Sequence, residues 1–132
     1  MLYATAEATV PKVTVIMRKA YGAGYYVMCG KGYGPDTIVA WPMAEIAVMG
    51  PEGAVNIIFN KQIEASADPE ATRAQMVDAI RSQIDPYLAA GWAMIDDVID
   101  PSETRRVIIR ALEQARDKKV DRPWRKHGNM PV

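Results

Sequence analysis

Three residues with almost no side chain, Gly22-Ala23-Gly24, stand between the run KVTVIM (residues 12–17) and the stretch YYVMCG (25–30). The first run is β-branched and continuous, as a strand is, and the second predicts a short helix behind it. A strand that turns into a helix leaves the first helical N–H groups without intrahelical acceptors. The helix dipole adds partial positive charge at the same place. With no bulky side chain in the way, an oxyanion reaches those amides, which is how an oxyanion hole is built. The same residues also suit a tight turn whose glycines only bring helix close to strand. Short glycine motifs are weakly specific, and the pattern alone leaves both readings open.

Other chemistry is poorly supplied. Cys29 is the only cysteine and His127 the only histidine. Zinc sites and Ser-His or Cys-His triads need a histidine with suitable partners, and Ser66, Ser82, Ser102 and Cys29 sit in no nucleophile motif. Cys29, in an apolar segment, reads as a plain buried residue. One cysteine permits no intrachain disulfide, which suits a reducing cytoplasm. Asp96-Asp97 reads as a turn, not a catalytic pair. Glu45 is a carboxylate in an apolar context, expected to pair with backbone or a neighbouring subunit. Arg18 and Lys19, at a strand end, are expected to be solvated, and the eight methionines to fill the core.

The elements that would position the turn follow from punctuation. GYGPD (32–36) is turn chemistry, and TIVAWP (37–42) and AEIAVMG (44–50) read as two further strands. Pro51 opens a helix through EGAVNIIFN (52–60). Asp68 and Pro69 start a second, with Met76, Val77, Ile80 and Ile84 as its apolar stripe. GWAMIDDVI (91–99) reads as a return element. Asp100 and Pro101 start a last helix, with Glu103 in the capping-box position and Ile108, Leu112 and Ala115 as its seam. The tail VDRPWRKHGNMPV (120–132) is basic and carries Trp124. No internal repeat is evident in the sequence. Strand, helix, strand, strand, helix points to a layered α/β architecture, a single domain over residues 1–132.

Sixteen basic residues against sixteen acidic ones leave no net field to favour nucleic acid or an anionic membrane. Apolar runs are interrupted well short of a membrane span, and the N-terminus lacks the charged and apolar regions of a secretory signal. Several elements are more apolar than a small free-standing domain needs, so the chain reads as part of something larger.

Four separated stretches, AEATVPKVTVIMRKAYGAGYYVM (6–28), AWPMAEIAVMGPEGAVNIIF (40–59), IDDVIDPSETR (95–105) and RPWRKHGNMPV (122–132), closely resemble the β, carboxyltransferase, subunits of biotin-dependent acyl-CoA carboxylases of the propionyl-CoA carboxylase type. The resemblance covers the last part of the family's chain, without its N-terminal domain. It implies a crotonase-like fold of ββα units, here a partial C-terminal carboxyltransferase domain followed by C-terminal helices. It implies carboxyl transfer from carboxybiotin to the α-carbon of a short-chain acyl-CoA such as propionyl-CoA, a step of fatty acid metabolism, catalysed by a ligase or transferase. The biotin would arrive on a carrier domain and not be attached to this chain. The implied partners are acyl-CoA, a biotin carboxyl carrier domain, a biotin carboxylase subunit and further copies of the chain.

Residue by residue, the resemblance places the biotin-side oxyanion amides on Ala23 and Gly24, with Gly22, Tyr25 and Tyr26 beside them in substrate binding. With one histidine and one cysteine, no metal site is expected. The order Gly22-Ala23-Gly24-Tyr25-Tyr26 departs from the Gly-Gly-Ala-Tyr-Asp of the propionyl branch. A backbone donor survives a Gly/Ala exchange, but Tyr26 replaces an acidic residue beside the acyl pocket, which leaves the substrate open. A biotin-dependent acyl-CoA decarboxylase subunit, of methylmalonyl-CoA or glutaconyl-CoA type, fits the same residues, and so does a non-catalytic assembly module that kept the fold. As a partial chain, the 132 residues are expected to be inactive alone.

Overall fold

The computed structural model describes residues 1–121; Trp124 and His127 lie outside the described residues. After a short helix α1 (Leu2–Glu7), the chain builds two successive ββα units. The first is β1 (Val13–Ile16), β2 (Lys19–Tyr21) and α2 (Ala23–Val27); the second is β3 (Thr37–Ala40), β4 (Glu45–Ala47) and α3 (Pro51–Ile58). β1 runs parallel to β3, with Val13 opposite Thr37 and Ile16 opposite Ala40. β2 runs parallel to β4, with Lys19 opposite Glu45 and Tyr21 opposite Ala47. The two first strands therefore share one sheet and the two second strands another. Parallel neighbours need a crossover, which α2 and a 3₁₀ turn at Lys31–Tyr33 supply.

The repeat absent from the sequence is thus present in the backbone. Of the paired positions only Val15 and Val39 carry the same residue, so sequence self-comparison has nothing to detect. β2 is the strand that sequence reading passed over. It is three residues long, and pairing with β4 defines it rather than its own pattern.

The remaining elements are α4 (Asn60–Glu64), α5 (Pro69–Arg81), α6 (Pro86–Gly91), β5 (Asp97–Val98) and α7 (Thr104–Gln114). β5 adds to the free side of β3, giving the order β1-β3-β5. β3 is thus the central strand, and its Ile38, Val39 and Ala40 are buried. In β1, at the edge, only Ile16 is buried, which corrects the expectation that KVTVIM is covered on both sides. The main core gathers Ile16, Ala20, Tyr25, Ile38, Ala40, Ala44, Ala89 and Ile95.

The Asp-Pro helix starts form as their chemistry requires. Asp68 accepts from the Ala71 N–H at 3.1 Å and Asp85 from the Leu88 N–H at 2.8 Å. At Asp100 the outcome differs. Its carboxylate accepts from the Ser102 N–H at 2.8 Å, and a 3₁₀ turn, Pro101–Glu103, precedes α7. Glu103 pairs with Arg106 instead of closing a capping box. Of the expected α7 seam, Ala115 is buried and Ile108 half-buried, but Leu112 is exposed and Ala111 is buried in its place. The stripe on α5 is only half-buried at Met76, Val77 and Ile80. The methionines do not fill the core: Met1, Met17, Met28, Met43 and Met49 are exposed.

Two aspartates pin the strands. Asp96 accepts from the Ile38 N–H at 2.9 Å and pairs with Lys31; Asp36 accepts from the Lys12 N–H at 2.7 Å and from Lys118 at 2.7 Å. Partial burial would raise both carboxyl groups, but these bonds outweigh it and hold both below the usual range. A depressed carboxyl contributes stability that is complete above its unfolded value, about 3.9, and is lost as pH falls through the folded value. The urea midpoint is therefore expected to fall as pH drops below about 4. The double variant Asp36→Asn/Asp96→Asn should flatten that limb, and an unchanged acid limb would remove these two groups from the balance.

Candidate functional site

The site grows from the end of β2. Tyr21 is anchored twice: its hydroxyl donates to Glu45, and its ring lies where a Cβ on Gly50 would come within 3.2 Å. Glu45 also faces Arg81 of α5 at 3.8 Å, and Arg81 reaches Glu52 of α3 at 2.6 Å. Glu45 thus has partners within the chain, Tyr21 and Arg81. Burial, then the carboxylate of Glu45, pushes the Tyr21 phenol up to about 12, so it remains a donor at neutral pH.

Gly22 follows in a conformation, φ +50° and ψ −125°, that glycine adopts without strain. Its N–H donates to the Ala47 carbonyl at 2.9 Å, and a Cβ on it would sit 2.6 Å from the Val48 carbonyl oxygen. Its own carbonyl accepts from the Tyr25 N–H at 3.2 Å. In a trans peptide the N–H lies opposite the C=O, so the Ala23 N–H points away from the helix body. Ala23 and Gly24 are exposed, and among the described residues neither N–H has an acceptor. Gly24 differs from Gly22 in kind. A Cβ there would meet nothing within 4 Å, and its φ is not left-handed. No internal contact requires it to be bare.

Tyr25 is a structural tie. It is buried, donates to the Met94 carbonyl at 2.6 Å and accepts from the Lys31 N–H at 3.0 Å. A Cβ on Gly30 would lie 2.4 Å from its ring, so that glycine is set by close approach. Tyr26 is exposed, meets Tyr25 edge-to-face at a centroid distance of 5.3 Å, and lines a cavity of about 280 Å³. Gly22 and Tyr25 also line it, together with Ile46 and Val48 from the β4 end and Leu88 and Trp92 from α6 and its cap. The sequence gives no signal for these last four, which come from two separated segments.

Arg18 and Lys19 are exposed, as expected. Cys29 is buried, with its Sγ 3.9 Å from the Tyr33 carbonyl. Asp96 and Asp97 serve the backbone, the first at Ile38 and the second at the Val98 N–H. Among the described residues no group of three or more His, Cys, Asp or Glu is placed to hold a metal ion. No described helix is long and apolar enough to cross a membrane.

Comparison with known proteins gives this geometry a lineage. The profile of the carboxyl transferase domain matches residues 1–130. The chain belongs to the carboxyl transferase family. It is 54% identical to the methylmalonyl-CoA carboxyltransferase 12S subunit of Propionibacterium freudenreichii subsp. shermanii, over 99% of this chain and 25% of that one. It is 52% identical to the mitochondrial propionyl-CoA carboxylase beta chain of Rattus norvegicus, over 100% of this chain and 23% of that one. A transcarboxylase 12S structure, a hexamer with methylmalonyl-coenzyme A and methylmalonic acid bound, superposes with a TM-score of 0.87 at 53% identity, over 99% of this chain and 25% of that one. The geranyl-CoA carboxylase beta subunit of P. aeruginosa superposes at 0.73 with 28% identity, over 99% and 25%. This carboxyl transferase chain thus spans about a quarter of the length of these relatives, and its ββα units are part of a crotonase-like fold.

Proposed function

We propose that this chain is the biotin-side portion of an acyl-CoA carboxyltransferase, the C-terminal part of its C-terminal domain. The observation that carries this reading is the bare pair Ala23–Gly24, whose exposed N–H groups have no acceptor among the described residues, with no internal contact that requires Gly24 to lack a side chain. Two adjacent exposed donors without acceptors fit an acceptor such as the ureido oxygen of biotin. Carboxybiotin, delivered on a carrier domain, supplies the carboxyl group. The Ala23 and Gly24 amides would hold the ureido oxygen and stabilise negative charge on it. Tyr26 lines the cavity that receives the acyl end of the CoA substrate. Exposed Ile57 and Ile58 on α3 support coverage by further domains or copies, and so assembly with a biotin carboxylase subunit and as a homo-oligomer.

The same geometry serves the reverse direction. The methylmalonyl-CoA decarboxylase subunit alpha of Propionigenium modestum is 51% identical over this chain and 26% of its own length. The experiment is acyl preference in the assembled enzyme, supplied with a carboxylated biotin carrier. Tyr26→Asp is expected to shift the ratio of kcat/KM between propionyl- and longer acyl-CoA by roughly 10-fold. Unchanged ratios across the series would take Tyr26 out of the acyl site.

A further inference from the structure

We propose that Asp85 and Trp92 set the acyl specificity of the cavity at Tyr26, which takes an uncharged, apolar acyl end and turns away one that ends in a second carboxylate. The inference rests on reading this cavity as the acyl site. Its walls are Tyr26, Ile46, Val48, Leu88, Trp92 and neighbouring apolar groups, and its only side chains with polar function beyond the tyrosines and the indole are Gln83 and Asp85. None of the lining residues is a cation. At about 280 Å³ it sits at the small end of ligand pockets, which suits a short chain.

Asp85 cannot swing aside at no cost. Its Oδ1 caps α6 by accepting from the Leu88 N–H at 2.8 Å, and the next residue, Pro86, is buried. Among the described residues no Lys or Arg pairs with it. A carboxylate held in place by its cap, exposed to solvent and without a cationic partner among the described residues, therefore borders an apolar cavity. A carboxylate at the far end of an acyl chain would be desolvated there and would meet a like charge. The carboxyl group being transferred sits at the α-carbon and is not the group excluded.

Trp92 is 70% exposed yet lines the same cavity. It ends α6, with its N–H on the Leu88 carbonyl at 3.2 Å, and Ala93 follows at φ +57°. The Met94 N–H then closes on the Ala89 carbonyl at 3.0 Å, the long bond of a Schellman ending. Alanine in this left-handed position carries a strain that glycine would not. The ending holds the indole at the cavity's rim, where it limits chain length.

The test uses the assembled enzyme and two ratios. Butyryl- and succinyl-CoA have the same chain length and differ in the terminal carboxylate. Asp85→Asn keeps a good cap and removes the charge. It is expected to lower the ratio of inhibition constants, succinyl-CoA over butyryl-CoA, by roughly 5-fold, and by less at high salt. Trp92→Ala is expected to raise kcat/KM for hexanoyl- over butyryl-CoA by roughly 10-fold. If Tyr26→Asp shifts acyl preference while both ratios stay fixed, this inference falls alone. If none of the three variants moves any ratio, the acyl-site reading falls with it. Dissociation of the Trp92→Ala assembly in light scattering would make the indole an interface residue and overturn its assignment.

Discussion

Gly24→Pro is expected to lower kcat for carboxyl transfer by about 10²–10³ in the assembled enzyme, the effect of deleting one oxyanion donor. The KM for acyl-CoA should stay nearly constant, because these amides serve the biotin side. Proline is tolerated in a first helical turn, where its missing N–H has no intrahelical partner in any case. It also disfavours a helical conformation at the residue before it, Ala23, so the variant changes geometry as well as donor count. Two companions separate the effects. Gly24→Ala keeps the N–H, favours the helix and adds a Cβ that meets nothing within 4 Å, so the fold should be at least as stable. Ala23→Val keeps its donor and narrows the approach, and should weaken use of the carboxylated carrier. Wild-type transfer by both Gly24→Pro and Ala23→Val would reduce the turn to a turn.

What could be read from the sequence was local. Asp68 and Asp100 signal helix starts because a cap is a contact within three residues, and the bare turn is visible because three small residues adjoin. What could not be read depends on neighbours. β2 is a strand only because Lys19–Tyr21 pairs with Glu45–Ala47. KVTVIM has the composition of a central strand, yet β3 takes that place because β5 arrives on its far side from residue 97. On α7 the apolar positions allow more than one seam, and packing against the sheet keeps Ala115 but buries Ala111 in place of Leu112. The cavity is the extreme case. Tyr26 and Val48 come from the two ββα units and Leu88 and Trp92 from α6 and its cap, so they meet only in the fold, and none of them is unusual in its own segment. Glu45 stood out as a carboxylate in an apolar setting, but its partners, Tyr21 and Arg81, lie 24 and 36 residues away in sequence.

Gly22→Ala is expected to destabilise the protein by about 2–4 kcal/mol, in contrast to the neutral or favourable Gly24→Ala. At φ +50° and ψ −125° an L-residue is strained before any contact is considered. The added Cβ would also stand 2.6 Å from the Val48 carbonyl oxygen, a backbone atom that cannot rotate away. Relief requires β4 to withdraw from β2, which breaks the Gly22 N–H bond to the Ala47 carbonyl and loosens the wall that Ala47 and Val48 give the cavity. Stability and carboxyl transfer should therefore fall together in Gly22→Ala, whereas Gly24→Pro should lose transfer far more than stability. Urea denaturation read beside kcat separates the two glycines: one is bare for the fold and the other for what approaches it. Equal stability of Gly22→Ala and wild type would show that the turn can relax, and with it the fixed direction of the Ala23 amide would be lost as the basis of the site.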